Sequence, residues 1–267
     1  MLSDHNVSQA EQIAERLDFA WRTRTPIAPI TEADRIGDIA TAYAIQTRWT
    51  ELRIARGEKI VGRKIGLTSK AIQQQLAVSE PDYGTLWQSS FYEAKGARVS
   101  IPSDHFLQPR IEGEVAFLIG GRLQGPNITP ERVLSNVDAY ALGVEIVDSR
   151  IADWKIKLVD TIADNASYGG FTLGPWDRKV GDADLGNLIM TIRHNGAVAA
   201  EGPASAVMGH PAISTAWLAN KLSEFGVSLE PGDIVISGGI TKMLPVRAGD
   251  DFVFCLSGQP ELSVSFT

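Results

Sequence analysis

The sequence predicts an α+β protein in which a helical N-terminal layer packs on a strand-rich body. Two observations support this fold class. Apolar residues recur at helical spacing up to Gly57, whereas from about residue 98 onward short apolar runs typical of strands dominate. Residues 1–97 are therefore expected to form a helical N-terminal region, and residues 98–267 a strand-rich body, within one structural unit.

Caps and apolar stripes predict two N-terminal helices. Ser8 with Glu11 has the pattern of a capping box at the start of the first helix. Asp38 is expected to cap the second helix, and Gly57 to close it. The residues that these helices would bury follow at helical spacing: Ala10, Ile13, Ala14, Leu17 and Trp21 in the first, then Ala42, Ile45, Trp49 and Leu52 in the second.

The middle of the chain is predicted to contain a short strand, a helix and a turn. A short strand is expected from Ile60 to Leu67, followed by a helix from about Ser69 to Leu76 and by a turn over residues 80–84. A further short helix is expected to begin at Thr129-Pro130, because threonine caps helices and proline suits the first helical position.

The C-terminal half carries clear hairpin and strand signals. Asn195-Gly196 suits a type I′ turn and lies between two apolar runs, 188–193 and 197–200. A helix is expected from His210-Pro211 to Gly226. The remaining strands are predicted over 234–237, 252–256 and 262–266.

Composition and charge exclude several classes of protein. The hydrophobic fraction of 44% and charged fraction of 21% are ordinary for a folded soluble protein. A single cysteine, Cys255, excludes an internal disulfide, and no signal peptide or membrane span is evident, so a cytoplasmic location is expected. The net charge of −7 argues against binding nucleic acids. Nucleotide-binding glycine loops and the Gly-x-Ser-x-Gly elbow of serine hydrolases do not occur.

Three glutamates are candidate metal ligands. Glu112 and Glu114 are two apart in a predicted strand and therefore project from the same face, roughly 6–7 Å apart. Glu145 lies in a second predicted strand. Like charges on an apolar strand repel each other, and a divalent cation such as Mg²⁺ or Mn²⁺ would relieve that repulsion. Two ordinary carboxylates on a solvated strand face are the alternative.

Lys64 and Asp82 are candidates for proton transfer. Lys64 is flanked by Gly62 and Gly66, which would let a ligand approach closely, although a surface lysine on an edge strand is the alternative. Asp82 lies in the predicted turn, where aspartate is common for local hydrogen-bonding reasons.

Other polar segments leave two explanations open. A cluster of small polar residues before Gly169-Gly170 predicts a loop that either binds a ligand or satisfies its own backbone. Its members are Asp160, Asp164, Asn165 and Ser167. The segment SGGIT at 237–241 could offer its amides to a carboxylate or form a tight turn. His210 could bind an anion or cap its helix.

Several of these segments, in this order, resemble one enzyme family. The chain resembles the 2-keto-4-pentenoate hydratase and 4-oxalocrotonate decarboxylase family, within the fumarylacetoacetate hydrolase superfamily, from about residue 36 to its C-terminus. The resemblance rests on GRKIGLTS at 62–69, EPDYG at 80–84, PRIEGE at 109–114, VEIVDSR at 144–150, ADNAS at 163–167 and GHP at 209–211. It implies a fumarylacetoacetate-hydrolase-like mixed β-roll as the strand-rich body.

The resemblance also implies a site. Glu112, Glu114 and Glu145 would hold Mg²⁺ or Mn²⁺, and a small 2-hydroxydienoate or 2-oxo acid would chelate that metal through its C1 carboxylate and C2 oxygen. Lys64 and Asp82 match positions that line the catalytic pocket, Ser167 matches a substrate contact, and Thr241 is a further candidate substrate contact.

The implied activity is hydration of 2-hydroxypenta-2,4-dienoate to 4-hydroxy-2-oxopentanoate in the catabolism of aromatic compounds. The hydrolase branch places a lysine after its third metal ligand, whereas Asp164-Asn165 occupies that neighbourhood here, which argues against hydrolysis of carbon–carbon bonds. The segments QQQL at 73–76, DYGTL at 82–86 and IADWKIK at 151–157 look closer to the hydratase branch than to the decarboxylase.

Three alternatives stay open at this point. They are a 4-oxalocrotonate decarboxylase, a hydratase for a longer-tailed dienoate, and a non-catalytic, metal-dependent scaffold subunit. The resemblance further implies self-association into a homo-oligomer and association with a related decarboxylase.

Overall fold

The structure is a computed structural model that describes residues 4–69, 73 and 80–267, with no account of the side chains of residues 4–7 and 182. The predicted helix from Ser69 to Leu76 lies almost wholly outside the described residues. The α-helices of the described part are α1 (Asp4–Thr23), α2 (Ile30–Ala33), α3 (Ile39–Ala55), α4 (Pro130–Leu134), α5 (Leu158–Ala163) and α6 (Pro211–Ser223).

Twelve strands follow in the described residues, and they form two sheets. The strands are β1 (Ile60–Gly66), β2 (Asp82–Trp87), β3 (Arg98–Ile101), β4 (Arg110–Ile119), β5 (Val137–Val147), β6 (Tyr168–Leu173), β7 (Ile189–His194), β8 (Ala197–Pro203), β9 (Ile234–Ile236), β10 (Leu244–Pro245), β11 (Asp251–Leu256) and β12 (Leu262–Phe266). The predicted α+β class and mixed β-roll with N-terminal helices are confirmed.

The larger sheet has seven strands in the order β2-β1-β9-β4-β5-β6, with β10 paired to β4. The smaller sheet has the order β3-β12-β11-β7-β8. β1 runs parallel to β9, whereas β4 is antiparallel to both β9 and β5. The long pair β4–β5 therefore lies at the centre of the larger sheet, and β1 is an inner strand of it.

The two outer strands of the larger sheet are joined by one side chain. Asn165, which precedes β6, accepts a hydrogen bond from the amide of Thr85 in β2 at 2.7 Å. Its own amide group donates to the carbonyl of Thr85 at 3.0 Å. Because β2 and β6 are the ends of the strand order, this pair of bonds requires the sheet to curl back toward itself. The curl brings β1 and β2 opposite β4 and β5.

The N-terminal helices follow the predicted stripes but not every predicted boundary. Asp38 caps α3, accepting from the amide of Thr41 at 2.7 Å. The capping box at Ser8 is wrong, because α1 already begins at Asp4 and Ser8 lies within it. The short helix α2 was not predicted, and it is held by Asp160, whose carboxylate accepts from the amide and hydroxyl of Thr31, each at 2.9 Å.

The turn predicted over residues 80–84 is wrong. Residues 82–87 form β2, a strand whose six residues are all buried, and only Pro81 and Glu80 stand outside it. Asp82 is thus a strand residue inside the protein. The loop predicted from Asp160 is also wrong in part, since Asp160 lies in α5.

The C-terminal predictions are confirmed more closely. Asn195 and Gly196 have φ angles of 50° and 86°, as a type I′ turn requires, and they join β7 to β8. His210 caps α6, its Nδ1 accepting from the amide of Ala212 at 3.0 Å, which matches the capping alternative. Thr129 caps α4, accepting from the amide of Arg132.

One apolar core connects the helical region to the strand-rich region. It runs from Ala10 of α1 to Phe266 of β12, and it includes residues of both sheets. The predicted division into a helical region and a strand-rich region at residue 98 stays a prediction, and β1 and β2 of the larger sheet lie before it. Among the described helices, none has the length and apolar character to cross a membrane.

Gly62 is the tightest approach between β1 and β9. A Cβ on Gly62 would lie 1.8 Å from the carbonyl oxygen of Ile234, which is a backbone atom and cannot move aside. We expect Gly62→Ala to lower the free energy of unfolding by at least about 2 kcal/mol, because overpacking against backbone forces the strands apart. Urea-induced unfolding followed by circular dichroism measures the change.

Gly181→Ala is the matched control for this substitution. A methyl group on Gly181 would have no heavy atom of the described residues within 4 Å, so its introduction should change the unfolding midpoint little. Equal stability of Gly62→Ala and the wild type would contradict the close packing of β1 on β9.

Candidate metal centre and substrate cavity

Three buried glutamates converge at the centre of the larger sheet. Glu112 and Glu114 lie on β4, and Glu145 lies on β5 directly opposite Glu112. One carboxylate oxygen of each lies within 4.8 Å of the other two. Glu112 is 9% exposed and the other two are fully buried, so the alternative of a solvated strand face is wrong. The structure brings the predicted ligands together, while their role as metal ligands stays a prediction.

The carboxylate oxygens of this cluster fit a hard divalent cation. Oε1 of Glu114 and both oxygens of Glu145 are buried and have no hydrogen-bond partner among the described residues. Glu145 Oε1 lies 3.1 Å from Lys64 Nζ, close enough for an ion pair although it is not aligned as a hydrogen bond. Unpartnered buried carboxylates are costly, and oxygen donors of this kind are those that Mg²⁺ and Mn²⁺ prefer. The residues present therefore suit the predicted ion.

Burial and mutual repulsion make these carboxyls hard to ionise. Burial, followed by the charge of Glu145, raises the pKa of Glu112 to about 8. The same two causes, in the same order, hold the pKa of Glu114 well above its usual range. Burial also raises the pKa of Glu145, although the charge of Lys64 opposes this.

Glycines leave room for the glutamates. A Cβ on Gly239 would lie 2.4 Å from Oε2 of Glu112. Gly238, at a φ of 114°, donates its amide to Oε2 of Glu114 at 2.6 Å. The sequence suggested that amides of segment 237–241 contact a carboxylate, and the carboxylate they contact belongs to the protein itself.

Lys64 lies on the inner strand β1, and its side chain is buried. Its Nζ donates to the carbonyl of Ala166 at 2.9 Å and pairs with Glu145. The alternative of a surface lysine on an edge strand is therefore wrong. Burial alone would lower the pKa of Lys64, but the charges of Glu145 and Asp82 outweigh it and raise that pKa.

Asp82 is the first residue of β2 and is 1% exposed. Its Oδ2 accepts a hydrogen bond from the Thr161 hydroxyl at 3.2 Å, while its Oδ1 has no partner among the described residues. A Cβ on Gly66 would lie 2.2 Å from that Oδ1 and 3.3 Å from Lys64 Nζ, so the glycine allows both groups to approach one point. Burial raises the pKa of Asp82, and the charge of Lys64 opposes the rise.

Ser167 ends a tight turn beside this pair. Residues 165–167 all have φ angles of 52–54°, in the left-handed region. The hydroxyl of Ser167 lies 3.4 Å from that of Thr161 and donates to Oδ2 of Asp164 at 3.5 Å. A chain of polar contacts thus runs from Asp82 through Thr161 to Ser167.

Behind the turn, a buried ion pair fixes its position. Nε of Arg150 contacts Oδ1 of Asp164 at 2.5 Å, and both side chains are fully buried. The guanidinium also donates to the carbonyls of Tyr168 and Asp164, at 2.7 and 2.6 Å. Such a pair is costly to break once buried, so it holds the turn rigidly.

A cavity of about 440 Å³ opens over these groups. Its wall combines charged, polar and apolar side chains, and it includes Lys64, Asp82, Glu112 and Ser167. The lining residues that sequence reasoning did not single out are Leu67, Arg110, Val147, Trp154, Ile156, Thr161, Ala166, Lys242 and Met243. Thr241 is not among the lining residues, although its neighbour Lys242 is, so its contact with substrate remains a prediction. Arg110 could have been found from its position two residues before Glu112.

Residues 54–267 match the family described as Fumarylacetoacetate (FAA) hydrolase C-terminal. The chain belongs to the fumarylacetoacetate hydrolase family. The resemblance predicted from sequence motifs is therefore confirmed over most of the chain.

Relatives with named activities indicate the branch of the family to which the chain is most similar. The chain is 43% identical over 257 residues, 96% of its length and 97% of the relative's, to a 2-hydroxyhexa-2,4-dienoate hydratase of Comamonas testosteroni. It is 39% identical over the full length of both chains to a 2-keto-4-pentenoate hydratase of Paraburkholderia phymatum. These relatives confirm the predicted hydratase class of enzyme, a hydro-lyase, within this family.

A solved structure also matches closely. The 4-oxalocrotonate decarboxylase from Pseudomonas putida G7, complexed with magnesium and adipate, superposes with a TM-score of 0.94 at 32% identity. The match covers 100% of this chain and 99% of that one. The hydratase and decarboxylase branches therefore share this fold.

The buried carboxyls predict an unusual dependence of stability on pH. Because their pKa values are raised in the folded state, metal-free protein should lose stability as pH rises from about 5 to about 8. Three other carboxyls have lowered pKa values, namely those of Asp18, Glu58 and Asp250. The stability that they contribute to the folded protein changes only below this pH range. The melting temperature measured in EDTA should therefore fall between about pH 5 and about pH 8. Adding Mg²⁺ at pH 8 should reverse most of this fall in melting temperature.

Glu114→Gln provides the comparison. Removing one titrating carboxyl should flatten the decline in EDTA and also weaken the effect of Mg²⁺ on the melting temperature. A wild-type melting temperature that rises steadily with pH in EDTA would contradict the raised pKa values.

Proposed function

We propose that the protein is a metal-dependent hydratase that converts 2-hydroxypenta-2,4-dienoate, or a dienoate with a slightly longer alkyl tail, to the corresponding 4-hydroxy-2-oxo acid. The observation that carries the proposal is the cluster of Glu112, Glu114 and Glu145, because its member Glu112 lines one cavity together with Lys64 and Asp82. Carboxylate ligands beside a buried amine and a buried carboxyl suit metal-assisted proton transfer on an anionic substrate.

Glu112, Glu114 and Glu145 would hold the cation, which we propose is Mg²⁺ or Mn²⁺. The related decarboxylase structure is complexed with magnesium in one case and with calcium in another, which supports a divalent ion. When bound, such an ion supplies Lewis-acid stabilisation of negative charge that develops on the oxygen at C2 of the substrate.

Hydration requires two changes at carbon. The dienol loses its hydroxyl proton and gains a proton at C5, which gives 2-oxopent-3-enoate. Water then adds across C3 and C4, with the hydroxyl on C4 and the proton on C3. Lys64 is our candidate for moving protons to and from carbon, because its amine lies at the cavity wall beside Asp82.

Asp82 would orient Lys64 or accept a proton from the attacking water. Its unpartnered Oδ1 is free to do either, while Thr161 fixes the other oxygen. Ser167, at the end of the rigid turn, would contact the substrate, and Thr241 would do so from the segment beside Lys242. Gly66 keeps the space between the amine and the carboxyl open.

The apolar lining favours an alkyl tail. Val147, Ile156, Met243 and Leu67 line the cavity together with the indole of Trp154. These side chains can accommodate the terminal methyl of a six-carbon dienoate as well as the five-carbon substrate. The relative of 43% identity is named for a hexadienoate, which supports the longer tail as an alternative.

Decarboxylation of 2-oxo-3-hexenedioate is the second candidate activity. It is favoured by the close superposition with the 4-oxalocrotonate decarboxylase. Loss of CO₂ from that substrate also places negative charge on an oxygen at C2, so the same three glutamates would serve it.

Proton NMR of freshly generated 2-hydroxypenta-2,4-dienoate with protein and Mg²⁺ tests the proposal. We expect 4-hydroxy-2-oxopentanoate to appear with Mg²⁺ and not with EDTA. Turnover of 2-oxo-3-hexenedioate with release of CO₂, in the absence of hydration, would replace the hydratase with the decarboxylase. Binding of these acids without any turnover would support the scaffold alternative.

Lys64→Met should lower kcat by about 10²–10⁴-fold, because the proposed proton donor is removed. Asp82→Asn should lower kcat in the same direction, since an amide cannot accept the proton. Steady-state kinetics with Mg²⁺ at saturation separate this loss from weaker metal binding.

Lys59→Met is the control for charge and for the strand. Lys59 is exposed and precedes β1, so its replacement should leave kcat unchanged. Near wild-type kcat in Lys64→Met would refute its role in proton transfer.

Self-association belongs to the same proposal. By resemblance to its family, the chain is expected to form a homo-oligomer in the cytoplasm and to associate with a related decarboxylase. Light scattering of the purified protein, alone and mixed with such a decarboxylase, measures both.

A further inference from the structure

The cavity wall contains two cations that make no close ion pair with any described residue. Lys64 is engaged by Glu145 and by a carbonyl. Arg110 and Lys242 also line the cavity, and in the part of the chain that the structure describes neither side chain takes part in an ion pair or hydrogen bond. We propose that Arg110, positioned by Trp154, binds the C1 carboxylate of the substrate. This inference rests on the proposed function and names the residue that recognises its anionic group.

The sheet places Arg110 one step from the metal cluster. Arg110 and Glu112 are two residues apart on β4, so both project from the same face, roughly 6–7 Å apart at the backbone. On β5, Val147 is paired with Arg110 just as Glu145 is paired with Glu112. On this face of the sheet, the guanidinium of Arg110 therefore lies next to the glutamate cluster.

Trp154 holds that guanidinium in place. The central carbon of the Arg110 guanidinium lies 4.3 Å from the centre of the indole ring. The ring is itself fixed, because Trp154 Nε1 donates to the carbonyl of Gln108 at 3.1 Å. Asp153 and Trp154 have φ angles of 58° and 55°, so the turn that presents the indole adopts the left-handed region at two successive residues.

An indole that packs against the face of a guanidinium leaves the edge of that group free. The five N–H donors of arginine lie in the plane of the group and point outward from it. An indole against the face therefore orients these donors without occupying them. A carboxylate is the planar partner that matches such an edge, because its two oxygens can accept two parallel hydrogen bonds.

The charge of the site supports an anion at this position. Three carboxylates with one divalent cation would carry a net negative charge. The positive charge of Lys64, which pairs with Glu145, would only neutralise that net charge. Asp82 adds another carboxylate at the same wall. An anionic substrate would be repelled without further cations, and Arg110 and the exposed Lys242 supply them.

The C1 carboxylate is the group that this geometry favours. It is bonded to C2, whose oxygen the cation held by the glutamates would stabilise, so it would lie close to the glutamates. A carboxylate at the far end of a longer diacid is the competing ligand for Arg110, and it would be several carbon bonds, each about 1.5 Å, further away.

Binding of the unreactive analogue 2-oxobutanoate to Mg²⁺-loaded enzyme tests the inference by calorimetry. Arg110→Met should weaken this binding about ten- to a hundredfold, as expected for losing a charged hydrogen-bonded partner, while the affinity for Mg²⁺ stays within a few-fold. Arg110→Lys should recover part of the loss, and Trp154→Leu should weaken binding less than Arg110→Met does.

Arg178→Met is the matched control, because Arg178 is exposed and does not line the cavity. It removes the same net charge and should leave the affinity for 2-oxobutanoate unchanged. Unaltered binding in Arg110→Met, or no binding of 2-oxobutanoate to the wild type, would overturn the inference.

Kinetics then identify the carboxylate. Arg110→Met should raise KM by a similar factor for 2-hydroxypenta-2,4-dienoate and for 2-hydroxyhepta-2,4-diene-1,7-dioate, with a smaller change in kcat. A rise confined to the diacid would assign Arg110 to the distal carboxylate and refute the inference. Failure of the wild type to hydrate either compound, while it still binds 2-oxobutanoate, would refute the proposed function and not the recognition by Arg110.

Discussion

Burial of three carboxylates at one point is the constraint on which the rest of this structure depends. Water is excluded from Glu114 and Glu145, and only Lys64 among their described neighbours offers a compensating charge. Isolated buried charges cost several kcal/mol each, so an arrangement of this kind is stable only with neutralised carboxyls or with a bound cation. The glutamate cluster therefore lowers the stability of the folded protein, as is common for residues of a binding site.

The curl of the larger sheet turns this cluster into a site. Glu112 and Glu145 come from the central pair β4–β5, whereas Lys64 and Asp82 come from β1 and β2. Asn165 ties β2 to the segment before β6, and the Arg150–Asp164 pair anchors the same segment from behind. Rigid backbone on both sides thus sets the distance between the predicted metal ligands and the predicted proton donors.

Local sequence patterns were sufficient to predict part of the fold and part of the site. The alternation of Glu112 and Glu114, the caps at Asp38 and Thr129 and the Asn195-Gly196 turn depend on neighbouring residues alone, and the structure confirms them. The buried strand at residues 82–87 was mistaken for a turn because its pairing with β1 is a tertiary contact that Pro81 and Gly84 conceal. Thr161, Trp154 and Lys242 reach the cavity from distant segments, so no spacing in the sequence could place them there. Family motifs, rather than spacing, connected Lys64 to the glutamates.

The central claim is that these carboxylates are partly protonated until a cation displaces their protons. Calorimetric titration with Mg²⁺ at pH 7, in two buffers of different ionisation enthalpy, measures the protons released. Because the pKa of Glu112 is about 8 in the metal-free protein, we expect about one proton or more to leave for each ion bound, and Glu145→Gln to bind the ion far more weakly. Binding without proton release, or equally tight binding by Glu145→Gln, would contradict the account.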